Sequence, residues 1–118
     1  MTIAIIDKSE LATLRLGSLV SGIKGIKNIV QIIDREQILE TISKVLPNVV
    51  IYDVNINGCD NFMNMRKIRE SYPETVIIAL TSYSTEQYQR KCNEIGIHYC
   101  LDKINEFEKI PEIISGIK

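Results

Sequence analysis

Short, continuously apolar segments alternate with amphipathic ones from one end of the chain to the other. The apolar segments predict five strands: Thr2–Ile6, Asn28–Ile33, Val49–Tyr52, Val76–Leu80 and His98–Leu101. Their hydrophobicity is continuous along each segment, which is typical of strands that are buried on both faces of a parallel sheet. Consecutive parallel strands need a crossover connection, which is usually a helix. The chain is therefore expected to fold as five successive strand–helix units.

The connecting segments carry apolar residues at helical spacing, and these residues are interpreted as core. Four stripes follow this spacing: Ala12, Leu16, Leu19 and Ile23; Ile38, Ile42 and Val45; Phe62, Met65, Ile68 and Tyr72; and Ile110, Ile113, Ile114 and Ile117. Asp34 is predicted to cap the second helix, and Pro111 suits the first turn of the fifth. The fourth segment, near residues 85–95, is mostly polar. Only three of its residues are expected to face inward, so it is predicted to be the most exposed helix: Tyr88, Cys92 and Ile95.

The composition predicts one soluble domain over residues 1–118. Hydrophobic residues make up 45% and charged residues 25%, and the net charge is −1. This charge gives no electrostatic reason to expect binding to nucleic acid or to an anionic membrane. There is no apolar run long enough for a membrane span and no signal-peptide pattern, so we expect a cytoplasmic location. Cys59, Cys92 and Cys100 contain no C-x-x-C pair, and His98 with Cys100 is too small a set for a metal, so free thiols are expected.

Five strand–helix units in this length predict an α/β fold of the doubly wound, three-layer α/β/α type. Right-handed crossovers then place helices on both faces of a parallel sheet. The common strand order for five strands is 2-1-3-4-5. This flavodoxin-like order puts a ligand crevice beyond the carboxyl ends of strands 1 and 3.

Polar residues follow four strands at the point where each strand ends. Strand 1 leads to Asp7, strand 3 to Asp53, strand 4 to Thr81, and strand 5 to Asp102-Lys103. Two acids, a hydroxyl and an ammonium at one edge of a sheet suit phosphoryl transfer to an aspartate carboxylate. Carboxylate and carbonyl oxygens are also ligands for Mg²⁺. The crevice is therefore predicted to be a phosphorylation site.

The chain resembles, over its full length, the receiver domain of two-component response regulators. The resemblance rests on "VVIYDVNINGCDN", "IIALTSY" and "YCLDK" in this order and spacing. It implies that Asp53 is the phosphoacceptor, with Thr81 and Lys103 as its catalytic partners. It also implies that Mg²⁺ is bound by Asp7, Asp53 and the backbone carbonyl of Asn55.

Three positions depart from the family pattern. Lys8 replaces the usual second acid after strand 1, and we expect it to act as a counter-ion in the crevice and to weaken Mg²⁺ binding. Ile104 replaces the proline after the conserved lysine; because a cis bond without proline costs roughly 3–4 kcal/mol, a trans bond and a reshaped loop are expected. Cys100 occupies the aromatic switch position, and Tyr99 beside it points to the opposite face of the strand.

Tyr83 is placed where it could cover the approach of water to the phosphoryl group.

The resemblance implies a stand-alone, non-enzymatic receiver that takes phosphate from a histidine kinase or a histidine phosphotransfer protein. It would signal to a downstream protein target through the face made by helix 4, strand 5 and helix 5. A second interpretation is a degenerate receiver that acts as a phosphorylation-independent interaction module. Enzyme interpretations are weaker. Asp53-Val54-Asn55 lacks the second acid of a dehalogenase-type phosphatase, and Asp7-Lys8-Ser9-Glu10 does not suit the phosphate of a flavin.

Overall fold

The computed structural model describes residues 1–55, 60–82 and 86–117. Strands and helices alternate through these ranges: β1 (Thr2–Ile6), α1 (Glu10–Val20), β2 (Asn28–Ile32), α2 (Ile38–Val45), β3 (Val49–Asp53), α3 (Asn61–Ser71), β4 (Val76–Thr81), α4 (Glu86–Glu94), β5 (Tyr99–Asp102) and α5 (Ile110–Ser115). Short 3-10 turns precede α2 and α5. The five predicted strands are confirmed, and no strand end differs from the prediction by more than one residue.

The strands form one parallel sheet in the order β2-β1-β3-β4-β5, as predicted. All five residues of β3 are buried, whereas the edge strands β2 and β5 are partly exposed. Side chains alternate between the two faces of the sheet. Ile6 and Val50 belong to the core under α2, α3 and α4, and Ile5 and Ile51 belong to the core under α1 and α5. The three-layer α/β/α architecture is therefore confirmed.

Polar side chains fix where several helices begin. Ser9 Oγ accepts a hydrogen bond from Ala12 N at 3.2 Å at the start of α1, and Asp60 Oδ1 accepts one from Met63 N at 3.0 Å at the start of α3. Asp34 is a cap, as predicted, although it caps the 3-10 turn before α2. These caps satisfy backbone donors that have no partner inside the helix.

Helix α1 differs from its predicted stripe. The structure buries Leu16 and Val20, while Leu19 is 37% exposed and Ile23 lies beyond the last helical residue. Val20 replaces Leu19 because the i, i+4 spacing from Leu16 points most directly at the sheet. The pattern predicted for the fourth segment is confirmed, since Cys92 is buried in the core and the partly buried Tyr88 and Ile95 pack against that core. Among the helices in the described ranges, none is long and apolar enough to cross a membrane.

Candidate functional site

The carboxyl edge of the sheet brings together the side chains that follow its strands. Asp7 comes directly after β1, Asp53 ends β3 and Thr81 ends β4, and all three are buried. Asp53 pairs in register with Leu80, so Thr81 lies one residue further along the neighbouring strand. Lys103 follows β5, and its backbone N–H donates to Thr81 O at 2.8 Å. The strand order therefore places these four residues around one crevice, as expected from the sequence.

The ammonium of Lys103 lies between the two aspartates. Its Nζ atom donates to Asp7 Oδ2 at 3.0 Å and to Asp53 Oδ2 at 3.1 Å. Burial acts to lower the pKa of Lys103, but the hydrogen bonds and charges of Asp7 and Asp53 outweigh it, and the pKa is raised. Two buried carboxylates would repel one another without a cation between them. Lys103 therefore remains charged and holds the acid pair together.

Each aspartate is also fixed through its other oxygen. Asp7 Oδ1 accepts a hydrogen bond from Ser9 N at 2.9 Å, and Asp53 Oδ1 accepts one from Asn55 N at 3.0 Å. A carboxylate that hydrogen-bonds the backbone two residues later forms an Asx turn, which fixes the orientation of its plane. In both residues, Oδ1 faces the backbone and Oδ2 faces the ammonium. The Oδ2 atoms are consequently aimed at one point in the crevice.

The cation in the crevice is a lysine, as expected, but it is Lys103 and not Lys8. The side chain of Lys8 is exposed, and the ion pairs of Asp7 and Asp53 within the described residues are made by Lys103. The expectation that Lys8 is the counter-ion is wrong for a physical reason. The turn that directs Asp7 into the crevice turns the next residue outward, and the long stem of Lys8 carries its charge to water.

The loop after β5 is built around Asp102. Its Oδ1 atom accepts hydrogen bonds from Asn105 N at 2.9 Å and from Ile104 N at 2.8 Å, which lower the pKa of the Asp102 carboxyl. Its own N–H donates to Glu106 Oε1 at 3.1 Å. The Lys103–Ile104 peptide bond is trans, as predicted. The roles of Asp102 and Glu106 in this loop were not predicted from the sequence, although an aspartate followed closely by asparagine is a turn signal.

A largely buried hydrogen-bond network joins β3 to α3 and was not predicted from the sequence. Tyr52 OH donates to Asn61 Oδ1 at 2.8 Å, Asn61 Nδ2 donates to Val54 O at 2.9 Å, and Asn64 Nδ2 donates to Tyr52 OH at 3.1 Å. The network ties the segment after β3 to α3. A tyrosine inside a fully buried strand is itself a signal, because its hydroxyl needs a partner there.

The loops after β3 and β4 are joined by one further contact. Asn55 Nδ2 donates to Ser82 Oγ at 3.1 Å, so Asn55 links Asp53 to the end of β4. Tyr83, predicted to cover the crevice, and Cys59 lie outside the described residues. At the switch position, Cys100 is partly buried and packs on the same core as α4, while Tyr99 is 40% exposed. The two residues thus point to opposite faces, as expected.

The acids of the crevice offer a small donor set for a metal. The part of the chain that the structure describes contains no group of three or more histidine, cysteine, aspartate or glutamate side chains suited to one ion. Magnesium, however, needs only one or two carboxylates and keeps several waters. Asp7 and Asp53 fit that requirement through hard oxygen donors. Their Oδ2 atoms are shared with Lys103, so any divalent ion there competes with a fixed positive charge.

Solved structures of response regulators have the same fold. A response regulator from Thermotoga maritima matches with a TM-score of 0.84 and 19% identity, covering 98% of this chain and 95% of that one. The isolated REC domain of RcsB from Salmonella enterica serovar Typhimurium, in the presence of phosphomimetic BeF3-, matches with a TM-score of 0.87 and 17% identity, covering 98% and 86%. The receiver domain of a DNA-binding response regulator from Colwellia psychrerythraea 34H matches with a TM-score of 0.79 and 21% identity, covering 97% of each chain.

At these identities the structural matches establish the fold alone, and no curated protein matches the chain. The family is established by the sequence itself. The pattern of the response regulator receiver domain matches residues 3–115, which is nearly the whole chain and includes every residue of the crevice. The chain belongs to the response regulator receiver domain family.

Proposed function

We propose that the chain is a phosphoacceptor receiver in which Asp53 takes a phosphoryl group from a phosphohistidine. One observation carries the proposal: Asp53 is a buried carboxylate with one oxygen held by Asn55 N and the other facing the ammonium of Lys103. A nucleophile that is oriented and paired with a cation suits a reaction in which positioning and charge neutralisation supply most of the catalysis. A bond forms between an Asp53 oxygen and phosphorus, and the bond from phosphorus to the histidine nitrogen breaks.

General properties of the family agree with this proposal. Receiver domains of two-component systems are in general non-enzymatic signalling modules, and phosphorylation and Mg²⁺ binding are general features of them. The RcsB domain that shares the fold was studied with a phosphomimetic, BeF3-. For this chain, the donor is proposed to be a histidine kinase or a histidine phosphotransfer protein.

Two side chains are proposed to bind the phosphoryl oxygens. Lys103 needs little movement, because its ammonium is already 3.1 Å from Asp53 Oδ2. Thr81 would offer its hydroxyl to a second oxygen from the end of the neighbouring strand. Both positions follow from the pairing of β3 with β4 and of β4 with β5. Negative charge that develops on the phosphoryl oxygens would then be stabilised by Thr81 at the end of β4 and by Lys103 after β5.

Asp7, Asp53 and the carbonyl of Asn55 are the residues that would hold Mg²⁺. The metal would supply further neutralisation of the phosphoryl oxygens. Its affinity is proposed to be low for two reasons. Lys8 stands where a further acid would add a negative ligand, and Lys103 already neutralises part of the charge of Asp7 and Asp53.

Output is proposed to pass through protein contacts at the surface made by α4, β5 and α5. The polar character of α4 and the exposure of Tyr99 support a surface that faces a partner. The net charge of −1 supports a protein target and not nucleic acid. With Cys100 at the switch position, the signal is proposed to travel by displacement of α4 or of the loops and not by rotation of an aromatic ring.

The alternative is a receiver that acts without phosphorylation, and one observation favours it. Lys103 already offsets part of the charge of the acid pair, so the two carboxylates are held together without metal or phosphate. Such a domain would present the same surface permanently.

Phosphorylation by acetyl phosphate, with and without Mg²⁺, separates the two functions. Intact mass should rise by one phosphoryl group in the wild type and in Asp34→Asn, and should stay unchanged in Asp53→Asn. Asp34→Asn is the matched control because asparagine caps a helix turn as well as aspartate does. A folded wild type that gains no mass under either condition would favour the interaction module. A mass increase that persists in Asp53→Asn would show that another residue is the phosphoacceptor.

A further inference from the structure

One peptide group lies between Asp53 and helix α3. The peptide bond that joins Val54 to Asn55 is trans, so its C=O and N–H groups share one plane and point in opposite directions. The N–H group, on Asn55, donates to Asp53 Oδ1 at 3.0 Å. The C=O group, on Val54, accepts from Asn61 Nδ2 at 2.9 Å. A side chain that fixes one end of this plane therefore also fixes the other.

The side chain of Asn61 is itself held in one orientation. It belongs to the first residue of α3 and is buried. Its Oδ1 atom accepts from Tyr52 OH at 2.8 Å, and Asn64 Nδ2 donates to the same hydroxyl at 3.1 Å. Because a carbonyl oxygen can only accept, Nδ2 of Asn61 must face Val54 O, and Oδ1 must then face the hydroxyl. The amide of Asn61 thus cannot turn over without breaking two hydrogen bonds.

The hydrogen bonds form a chain that runs in one direction and ends at a carboxylate. From donor to acceptor, its members are Asn64, Tyr52, Asn61, the Val54–Asn55 peptide and Asp53. Hydrogen bonds in such a chain polarise one another and strengthen in the low-dielectric interior. A negatively charged acceptor at the end of the chain also makes the last bond a charge-assisted one.

We propose that Asn61 is a positioning residue for phosphoryl transfer, and that it sets the orientation of the Asp53 carboxylate through the Val54–Asn55 peptide. Val54 N–H donates to Leu80 O at 2.9 Å, so the sheet holds the chain up to this plane and Asn61 holds the plane itself. With Oδ1 of Asp53 fixed in this way, Oδ2 stays aimed into the crevice. The role in phosphoryl transfer rests on the proposed function, whereas the orientation of the carboxylate does not.

The rate of phosphorylation of the whole chain by acetyl phosphate, followed by intact mass, tests the role. Asn61→Leu nearly keeps the size of the side chain and removes both of its hydrogen-bonding groups. We expect its rate constant to fall by about tenfold, because a small misplacement of a reacting group is costly. Tyr52→Phe removes the bond that orients the amide and should lower the rate constant by a smaller factor. Unchanged rate constants in the folded variants would overturn the proposal, and Tyr52→Phe decides if Asn61→Leu does not fold.

A control variant separates positioning from a general loss of stability. Thr75 Oγ1 donates to Pro47 O at 3.0 Å in a buried contact just before β4, at the opposite edge of the sheet from the crevice. Thr75→Val removes this hydrogen bond and keeps the shape of the side chain. It should lower stability and leave the rate constant unchanged. A rate constant that falls as far in Thr75→Val as in Asn61→Leu would overturn the proposal.

The amide proton of Asn55 gives a measurement that needs no phosphate. A hydrogen bond to a carboxylate moves an amide proton resonance to lower field. The Asn55 resonance should therefore move to higher field in Asn61→Leu and in Tyr52→Phe, and should keep its position in Thr75→Val. A resonance that stays in place in all the variants would overturn the proposal whatever the rates are. If the wild type takes up no phosphate, the proposed function fails, and this resonance alone decides whether Asn61 orients Asp53.

Discussion

Lys103 Nζ lies 3.0 Å from Asp7 Oδ2, although the two residues are 96 positions apart in the chain. The contact closes the crevice from the fifth strand to the first and brings Asp53 within reach of the same ammonium. A contact between residues this far apart in the sequence forms only when the sheet is complete. The acid pair is therefore a property of the assembled fold and not of any one motif.

Removing the shared cation should destabilise the protein. Lys103→Met leaves two buried carboxylates facing each other, and we expect a loss of about 2 kcal/mol in the free energy of unfolding, because partial exposure of the lysine reduces the full cost of an unpaired buried charge. Urea denaturation measures it. Added Mg²⁺ should restore more stability to the variant than to the wild type. The matched control is Lys8→Ala, which should change stability by less than about 0.5 kcal/mol because the side chain is exposed. A larger loss of stability in Lys8→Ala than in Lys103→Met would show that Lys8 is the counter-ion after all.

Adding an acid beside Asp7 should strengthen metal binding. Lys8→Asp exchanges a positive for a negative charge near the carboxylates, and we expect Mg²⁺ to bind roughly tenfold more tightly, equivalent to about 1.4 kcal/mol. Calorimetric titration measures the affinity. Lys24→Asp makes the same charge change in an exposed loop outside the crevice and controls for net charge. Equal affinities of the wild type and Lys8→Asp would show that Lys8 does not limit metal binding.

The hydroxyl of Tyr52 in β3 should contribute measurably to stability. Tyr52→Phe removes the hydrogen bonds that the hydroxyl makes with Asn61 and with Asn64 and leaves both amides without that partner. We therefore expect a loss of about 1–2 kcal/mol in the free energy of unfolding. Tyr99→Phe is the control, since Tyr99 is 40% exposed. Urea denaturation of both variants makes the comparison. A cost for Tyr52→Phe no larger than that for Tyr99→Phe would contradict the importance of the network.

The single histidine of the chain should titrate below its ordinary range. His98 Nδ1 accepts a hydrogen bond from Ile77 N at 3.3 Å, and burial followed by the charge of Arg69 lowers the pKa of the imidazole. Because the pKa is lower in the folded than in the unfolded state, its contribution to stability is complete above the unfolded value near 6.5 and is lost as the pH falls through the folded value. A titration followed by NMR gives one unambiguous imidazole curve. A midpoint at or above the ordinary value would contradict the effects of burial and of Arg69 on the imidazole.

The sequence predicted the sheet well because its signal is local. A run such as Val49–Tyr52 is apolar at every position, and only a strand buried on both faces tolerates this pattern. The strand ends were predictable within one residue because polar side chains follow them, and the same residues marked the crevice. The choice between Leu19 and Val20 on α1 was not predictable, since both are aliphatic and the exact rotation of the helix decides which is buried.

The ion-pair partner of each charged residue in the crevice also could not be predicted from the sequence. Lys8 is next to Asp7 in the chain, and adjacency suggested that the two charges interact. In the fold, the Asx turn at Asp7 directs successive residues to different sides, and Lys103 reaches the same carboxylate from another strand. Similarly, the hydroxyl of Tyr52 finds Asn61 and Asn64 only once α3 packs on the sheet.

The pairing of Lys103 with two fixed carboxylates has a thermodynamic consequence for whatever anion reaches Asp53. A lysine side chain loses on the order of 2 kcal/mol of rotamer entropy when it is ordered. Here most of that loss accompanies folding, because the ammonium is held at 3.0 Å and 3.1 Å and the backbone at Lys103 is tied to Thr81. An arriving anion therefore meets a cation with few conformations left to lose.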